Sequence, residues 1–350
     1  MKDKTSDQVN SSVVTINQDI EYMQKAIDAA ETVRCITSPN PWVGCVIVTN
    51  DGDFFTGATY ESGDDHAEVQ ALKKAGEKAS GATAYVTLEP CSHFGKTPPC
   101  VDALIVAGIS RVVIGVQDPD ERVSGTGIKK LRDEGIEVEV GIAQEDVSNQ
   151  LAAYLKQRKT GLPYVVLKMA MTLDGNIADS DGESKWITGD EARIDSHKLR
   201  AESDAILVGA NTVRNDNPSL NVRDWSPPIL RESRAIDPIR IVLGKAEKDA
   251  GIHPCQEMQG SIDEVLKVLG EQEVLQLLVE GGASVARQFH EAGVVDKYVF
   301  YVAPAILGGV GTNVFGNQAG SLFPEMWRGQ IESFQQLGSD IRIDIVKEED

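Results

Sequence analysis

The run AYVTLEPCSHFGKTPPCVDALIVA, Ala84 to Ala107, decides how the first half of the chain is read. Ala84 to Leu88 has strand character and runs into a Pro90-Cys91 turn. Val101 to Ala107 is apolar at helical spacing. The segment therefore reads as strand, long loop, helix. Upstream, Ile20, Met23, Ala26 and Ile27 recur at helical spacing, Val43 to Val48 (VGCVIV) is a short apolar strand, and His66 to Ala75 (HAEVQALKKA) reads as a helix. Downstream, Arg111 to Val116 (RVVIGV) is another buried strand and Ile136 to Val140 alternates. Helices between apolar strands predict an α/β domain over 19–144, its sheet covered on both faces. The polar start MKDKTSDQVNSSVVT has no apolar core of the kind a secretory signal needs. It reads as a frayed tail to about Thr15, and 1–18 are set apart as disordered.

His66-Ala67-Glu68, Pro90-Cys91 and Cys100 form an ordered set with a chemical meaning. A catalytic zinc takes three protein ligands and keeps one position open for water. One imidazole (His66) and two thiolates (Cys91, Cys100) supply them, and the metal lowers the pKa of that water toward neutrality. Glu68, two residues from His66 at a helix start, is placed to carry the proton from water to a departing amine. The dipole of that helix favours its anion. Nucleobase deaminases carry H-x-E followed by P-C-x-x-C; here the second pair is the much longer C-x8-C.

A helix over Glu145 to Gln157, followed by KTGLP with Gly161 and Pro163, predicts a linker over 145–163. A second α/β domain follows over 164–350. Its strands are expected at Tyr164–Met169, Ala205–Val208, Ile239–Leu243, Leu275–Val279, Lys297–Val302 and Ile341–Val346. Thr188/Glu191 and Ser261/Glu264 read as capping boxes before helices. Gly281-Gly282 enters a helix, and backbone N–H groups at such a turn can hold a phosphate. No G-x-G-x-x-G follows a strand, so a Rossmann site is not supported.

The chain has 350 residues, 41% of them hydrophobic and 25% charged, enough for two buried cores and too apolar for wholesale disorder. Its net charge of −20 repels phosphate backbones and argues against nucleic acid as partner. No apolar run reaches the ~20 residues of a membrane-spanning helix. Five cysteines, an odd number widely spaced, fit a reducing cytoplasm. Cys35, Cys45 and Cys255 read as ordinary core thiols.

SPNPWVGCVIV (38–48), HAEVQAL (66–72) and EPCSHFGKTPPCVDALI (89–105) resemble the deaminase half of the RibD family, the bifunctional deaminase–reductases of riboflavin synthesis. The expanded cysteine loop is the most specific of the three. KMAMTLDGNIA (168–178), GESKWITG (182–189), LRAESDAILVGANTVRNDNPSLNVR (199–223) and LLVEGGASVARQF (278–289) resemble the reductase half. The resemblance implies a cytidine-deaminase-like α/β/α domain followed by a dihydrofolate-reductase-like α/β domain that uses NADPH. It implies one zinc on His66, Cys91 and Cys100, with Glu68 as proton carrier. Asn40 and Lys96 would touch the pyrimidine, and His93 and Asp118 would lie near the ribose phosphate. In the second domain Ser184, Arg200, Leu220, Arg223 and Glu280 would face the substrate, the two arginines holding its phosphate. Ala170, Trp186, Thr212, Asp216, Gly281, Gly282 and Ala283 would border NADPH. The substrate implied is a small phosphoribosylaminopyrimidine, and a homo-oligomer is in keeping with the resemblance.

The chain departs from the family pattern in three places. Thr59 and Tyr60 stand where a histidine is usual, and the family's D-P-N-P is Asp118-Pro119-Asp120-Glu121. That puts two carboxylates where a phosphate contact is expected. Gly244 to Gly260 replaces a stretch some tens of residues longer, which predicts a loss of sheet strands and weaker NADPH binding. The alternatives are therefore a zinc deaminase with a non-reducing second domain, and a deaminase of another base. Glu68 argues against a purely structural zinc scaffold, which needs four closed ligands.

Overall fold

The computed structural model describes residues 4–61, 63–95, 97–120, 123–184, 186–229, 237–316 and 323–348, with side chains from residue 16 onward, Phe323 excepted. The first unit takes in the chain up to Thr160 and the second begins at Gly161. Lys96 and Glu121 lie outside the described residues.

The first unit runs α1 (Lys4–Glu31), β1 (Gly44–Val48), β2 (Phe54–Ala58), α2 (Ala67–Ala75), β3 (Thr83–Leu88), α3 (Cys100–Val106), β4 (Arg111–Val116), α4 (Thr126–Asp133), β5 (Glu137–Val140), α5 (Gln144–Gln150) and α6 (Ala152–Thr160). Its sheet has the order β2-β1-β3-β4-β5. β1 is antiparallel to both neighbours, and β3, β4 and β5 run parallel. The inner strands read as continuous apolar runs because both faces are covered. β2 has no such run: it is a half-exposed edge strand. Asp19 fastens α1 to the sheet. Its buried carboxylate accepts two bonds of 2.8 Å from Arg111 and one of 2.7 Å from the Tyr85 hydroxyl.

Two expectations change here. The backbone is helical from Lys4, where a disordered tail is predicted. No glycine or proline interrupts Lys4 to Glu31, so the turns nucleated where Met23, Ala26 and Ala30 pack can propagate outward. The single linker helix is two helices, broken at Leu151, and they belong to the first unit. Val147, Leu151, Tyr154 and Leu155 are buried there. An apolar stripe at spacings of four, three and one is a packing face, not a spacer.

The second unit runs β6 (Tyr164–Thr172), β7 (Asn176–Ala178), α7 (Asp190–Ala201), β8 (Ala205–Gly209), α8 (Ala210–Asp216), β9 (Ile239–Leu243), β10 (Gln256–Met258), α9 (Ile262–Glu271), β11 (Gln276–Val279), α10 (Ala283–Glu291), β12 (Lys297–Ala303), β13 (Thr312–Asn313), β14 (Gly329–Leu337) and β15 (Asp340–Lys347). Its main sheet has the order β10-β9-β8-β11-β6-β12-β15-β14. The strands from β10 to β12 are parallel; β15 and β14 close the far side antiparallel. β8 and β11 are wholly buried at its centre. β14 is almost wholly exposed and held by its ladder to β15, so its polar sequence carries no strand pattern.

Ser261 and Glu264 form the expected capping box on α9. Thr188 and Glu191 do not: the N-cap of α7 is Gly189, whose N–H goes to Asp340 Oδ2 at 2.6 Å. A carboxylate from a strand 151 residues away replaces the local cap. The short Gly244–Gly260 segment still supplies an edge strand, β10, in parallel register with β9.

Candidate functional site

In the first unit, His66 is the N-cap of α2 and Glu68 lies in its first turn. Gly57 on β2 lets that turn come close: a Cβ there would stand 2.1 Å from the Ala67 carbonyl oxygen. Cys91 follows β3, and Cys100 opens α3. The long loop between them returns Cys100 to Cys91, with the Cys100 N–H donating to Cys91 Sγ at 3.3 Å. His66 Nδ1 lies 3.6 Å from Cys91 Sγ and 3.2 Å from Cys100 Sγ. All three ligand atoms fall within 4.8 Å of one another. Tetrahedral zinc with ordinary bond lengths places an imidazole nitrogen and a thiolate about 3.6 Å apart, so the cluster fits that ion. Three donors, with no fourth among the described residues, match the open, catalytic kind.

The electrostatics agree with the donor set. Cys91 is held far below the ordinary thiol range, at about 4, by the Cys100 S–H donating to it and by His66, against the effect of burial. Cys100 is pushed up in return. One thiol of the pair is thus a ready thiolate. Burial raises the Glu68 carboxyl and the Cys91 charge adds to the rise, with His66 opposing. A carboxyl that holds its proton more tightly than usual suits a group that must both take and give one.

One cavity of about 150 Å³ gathers His66, Glu68, Cys91, Asn40, His93 and Asp118, all predicted for the site. Lys96 lies outside the described residues. The cavity wall also holds Thr59, Glu89, Tyr154 and Arg158, which sequence reasoning did not assign. Thr59 is committed to Val43, accepting its N–H at 3.1 Å. Glu89 is a fastener: its carboxylate accepts the N–H groups of Asp118 (3.3 Å), Gly125 (2.9 Å), Gly127 (2.9 Å) and Ile128 (3.1 Å). That caps α4 and fixes the segment carrying Asp118. Tyr154 donates its hydroxyl to Asp118 Oδ2 at 3.1 Å. Burial lifts Asp118 to about 6, against the bonds it accepts from the Asp120 N–H and from Tyr154. The buried stripe on α5 and α6 was the signal available for Tyr154.

In the second unit, Glu280 follows β11 and is the centre of a buried ion cluster. Arg200 donates to it in parallel, Nε to Oε1 at 2.7 Å and Nη2 to Oε2 at 2.8 Å, and Lys168 stands 3.6 Å away. Burial would raise Glu280, but the charges of Arg200 and Lys168 outweigh it and hold the carboxyl at about 2. Arg200 Nη1 donates to the Asn221 carbonyl at 3.3 Å, so three of its five N–H donors are engaged within the protein. Arg223 is 57% exposed, and its N–H donates to His197 Nδ1 at 3.3 Å. Burial, with the charges of Arg200 and Arg223, lowers His197 to about 4 and keeps it neutral. Leu220 is buried beside this loop at φ 50°. Sequence reasoning missed His197, although it sits three residues from Arg200 on one helix face.

The cofactor-side residues fall into two groups. Thr212 on α8 and Gly282 meet, the Gly282 N–H donating to Thr212 Oγ1 at 3.3 Å. Gly282 is the N-cap of α10 and, as a glycine, offers that helix start no capping side chain of its own. Backbone N–H groups at a strand–glycine–helix turn suit a cofactor phosphate. Ala170 lies on β6 and Asp216 ends α8. Ser184 and Trp186 are exposed on the segment between β7 and α7. Trp186 is 76% exposed, left-handed at φ 65°, with the Arg193 guanidinium 4.5 Å over its ring.

Residues 163–343 match the model of the RibD C-terminal domain, and 16–116 match that of the cytidine and deoxycytidylate deaminase zinc-binding region. The riboflavin biosynthesis protein RibD of Escherichia coli is 40% identical over 83% of this chain and 89% of its own length. The chain belongs to the RibD family. A RibD structure from Acinetobacter baumannii superposes with a TM-score of 0.88 at 37% identity, covering 95% of this chain and all of that one. A Thermotoga maritima diaminohydroxyphosphoribosylaminopyrimidine deaminase/5-amino-6-(5-phosphoribosylamino)uracil reductase gives 0.82 at 32%, covering 95% and 99%. As a RibD, the chain is a bifunctional deaminase and reductase of riboflavin biosynthesis. Its cofactors are zinc in the first domain and NADPH in the second. No described helix is long and apolar enough to cross a membrane.

Proposed function

We propose that the first unit hydrolyses the 2-amino group of 2,5-diamino-6-(5-phosphoribosylamino)pyrimidin-4-one and that the second reduces the ribosyl group of the product to ribityl. The observation that carries this reading is the His66/Cys91/Cys100 cluster sharing one cavity with buried Glu68. Zinc, when bound by those three side chains, supplies an acidified water. Glu68 accepts a proton at a carboxylate oxygen and returns it to the departing amine. Asn40 and Lys96 read the pyrimidine edge; His93 and Asp118 face the ribosyl phosphate.

In the second unit, NADPH supplies the hydride when bound. Gly281, Gly282 and Ala283 with Thr212 hold a cofactor phosphate, and Ala170, Trp186 and Asp216 border the remainder. Holding Trp186 left-handed costs about 1–2 kcal/mol, and such strain clusters at ligand clamps. Ser184, Leu220 and Glu280 face the sugar. Arg200, which also orients Glu280, and the more exposed Arg223 take the phosphate. The edge strand β10 supports a reductase that keeps its sheet despite the short Gly244–Gly260 segment.

The same reading places the enzyme in the cytoplasm, as none of its five cysteines is in a disulfide. It acts on a small anion and not on nucleic acid or membrane, and assembles as a homo-oligomer. Zinc-loaded protein given the ribotide and NADPH should release ammonia and oxidise NADPH together. Ammonia without NADPH oxidation would reduce the proposal to a deaminase, and neither would refute it. Sedimentation equilibrium settles the assembly.

A further inference from the structure

We infer that Arg158 of α6 is the cation that takes the substrate's phosphate in the deaminase cavity, an inference that rests on the ribotide reading above. Among the described residues lining the cavity it is the one lysine or arginine. Its neighbours there include Asp118 and Asp120, with Glu121 next in sequence. A phosphate monoester brings about −1.5 to −2 charges at pH 7. Carboxylates on that wall repel it unless a cation intervenes.

Arg158 has the charge to spare. Among the described residues no carboxylate lies within 4.0 Å of its guanidinium, unlike Arg111, Arg200 and Arg342, which are each paired. Its Nη2 makes one long bond, 3.4 Å, to the Pro39 carbonyl, and its Cζ lies 5.3 Å from the Tyr154 ring centroid. Its Nε is buried and meets no acceptor, and His93 Nδ1 on the same cavity wall is also buried and unpartnered. Arg158 and His93 thus line one cavity and each leaves a nitrogen without a partner in the protein, and the guanidinium's remaining N–H groups are donors that a bound oxyanion can engage. The Pro39 and Tyr154 contacts hold the guanidinium without neutralising it, so its remaining N–H groups stay available to the ligand.

The test compares two substrates on the full, zinc-loaded enzyme: the ribotide and its dephosphorylated riboside, read by ammonia release. Arg158→Gln should cut the ribotide-to-riboside ratio of kcat/KM by about 10- to 100-fold, the size of one or two charge-assisted bonds. The loss should sit in KM, with zinc content still one per chain, and Arg158→Lys should restore part of it. Inorganic phosphate should inhibit the wild type competitively and Arg158→Gln much less. If both substrates lose activity in proportion, Arg158 only supports Tyr154 and the inference is overturned. Wild-type enzyme that deaminates the ribotide no better than the riboside also overturns it, leaving the deaminase reading standing. Wild-type enzyme that deaminates neither overturns both.

Discussion

Arg200 and Glu280 form a buried two-bond ion pair, Nε to Oε1 at 2.7 Å and Nη2 to Oε2 at 2.8 Å, with Lys168 adding a second positive charge at 3.6 Å. The pair links α7 to the end of β11 at the centre of the second unit. Removing one partner would leave the other charge buried and alone. Glu280→Ala should destabilise that unit by about 3–5 kcal/mol in denaturant unfolding. Glu280→Gln, which keeps shape and loses charge, should abolish NADPH oxidation and leave ammonia release intact.

The same pair sets a pH dependence. Glu280 ionises at about 2 in the folded chain against an ordinary 4.5. A folded-state pKa depressed in this way contributes stability that is fully present above 4.5 and is lost as pH falls toward 2. The wild type should therefore lose stability across that acidic window more steeply than Glu280→Gln does, read by thermal unfolding at stepped pH.

Glu68 is buried among the zinc ligands without being one. Glu68→Gln should bind one zinc per chain, measured by atomic emission, and lose about 10²- to 10⁴-fold in ammonia release. NADPH oxidation with pre-deaminated substrate should be unchanged. A variant that still deaminates would remove Glu68 from the mechanism. Stripping zinc with a chelator should silence the same step and spare the other.

Asp118 and Tyr154 are coupled through a hydroxyl donor. Tyr154→Phe removes a bond that favours the Asp118 anion, so the carboxyl should titrate above its present value of about 6. The shift should be roughly 0.5–1 pH unit, the equivalent of about one kcal/mol. The acidic limb of the kcat/KM profile for deamination should move upward by that amount.

Glu89 satisfies four backbone N–H groups with one carboxylate. Glu89→Ala should destabilise the first unit by about 3 kcal/mol or more, since buried unsatisfied donors are expensive. Amide exchange should speed up at Gly125, Gly127 and Ile128 before the rest of α4.

The amino-acid sequence by itself singled out His66, Cys91 and Cys100 as a set, because three residue types in a fixed order have few other uses, and the structure brings their ligand atoms within 4.8 Å of one another; it also determined the parallel core strands, because a sheet buried on both faces must be apolar throughout. The family resemblance grouped Thr212 with the Gly281–Gly282 turn, and the structure joins Thr212 to Gly282 by a hydrogen bond. What only the tertiary structure decided are the long-range pairings of charged and polar side chains. Arg200 is seen to pair with Glu280, 80 residues away, only once the fold is known. Gly189 needs no local cap because Asp340 reaches it. Tyr154 and Arg158 read as part of a spacer until α6 is seen against Asp118 and the cavity wall. Hydrophobic periodicity is local and survives in the sequence; a carboxylate's choice of partner depends on which elements the fold brings within 3 Å, and no spacing records that.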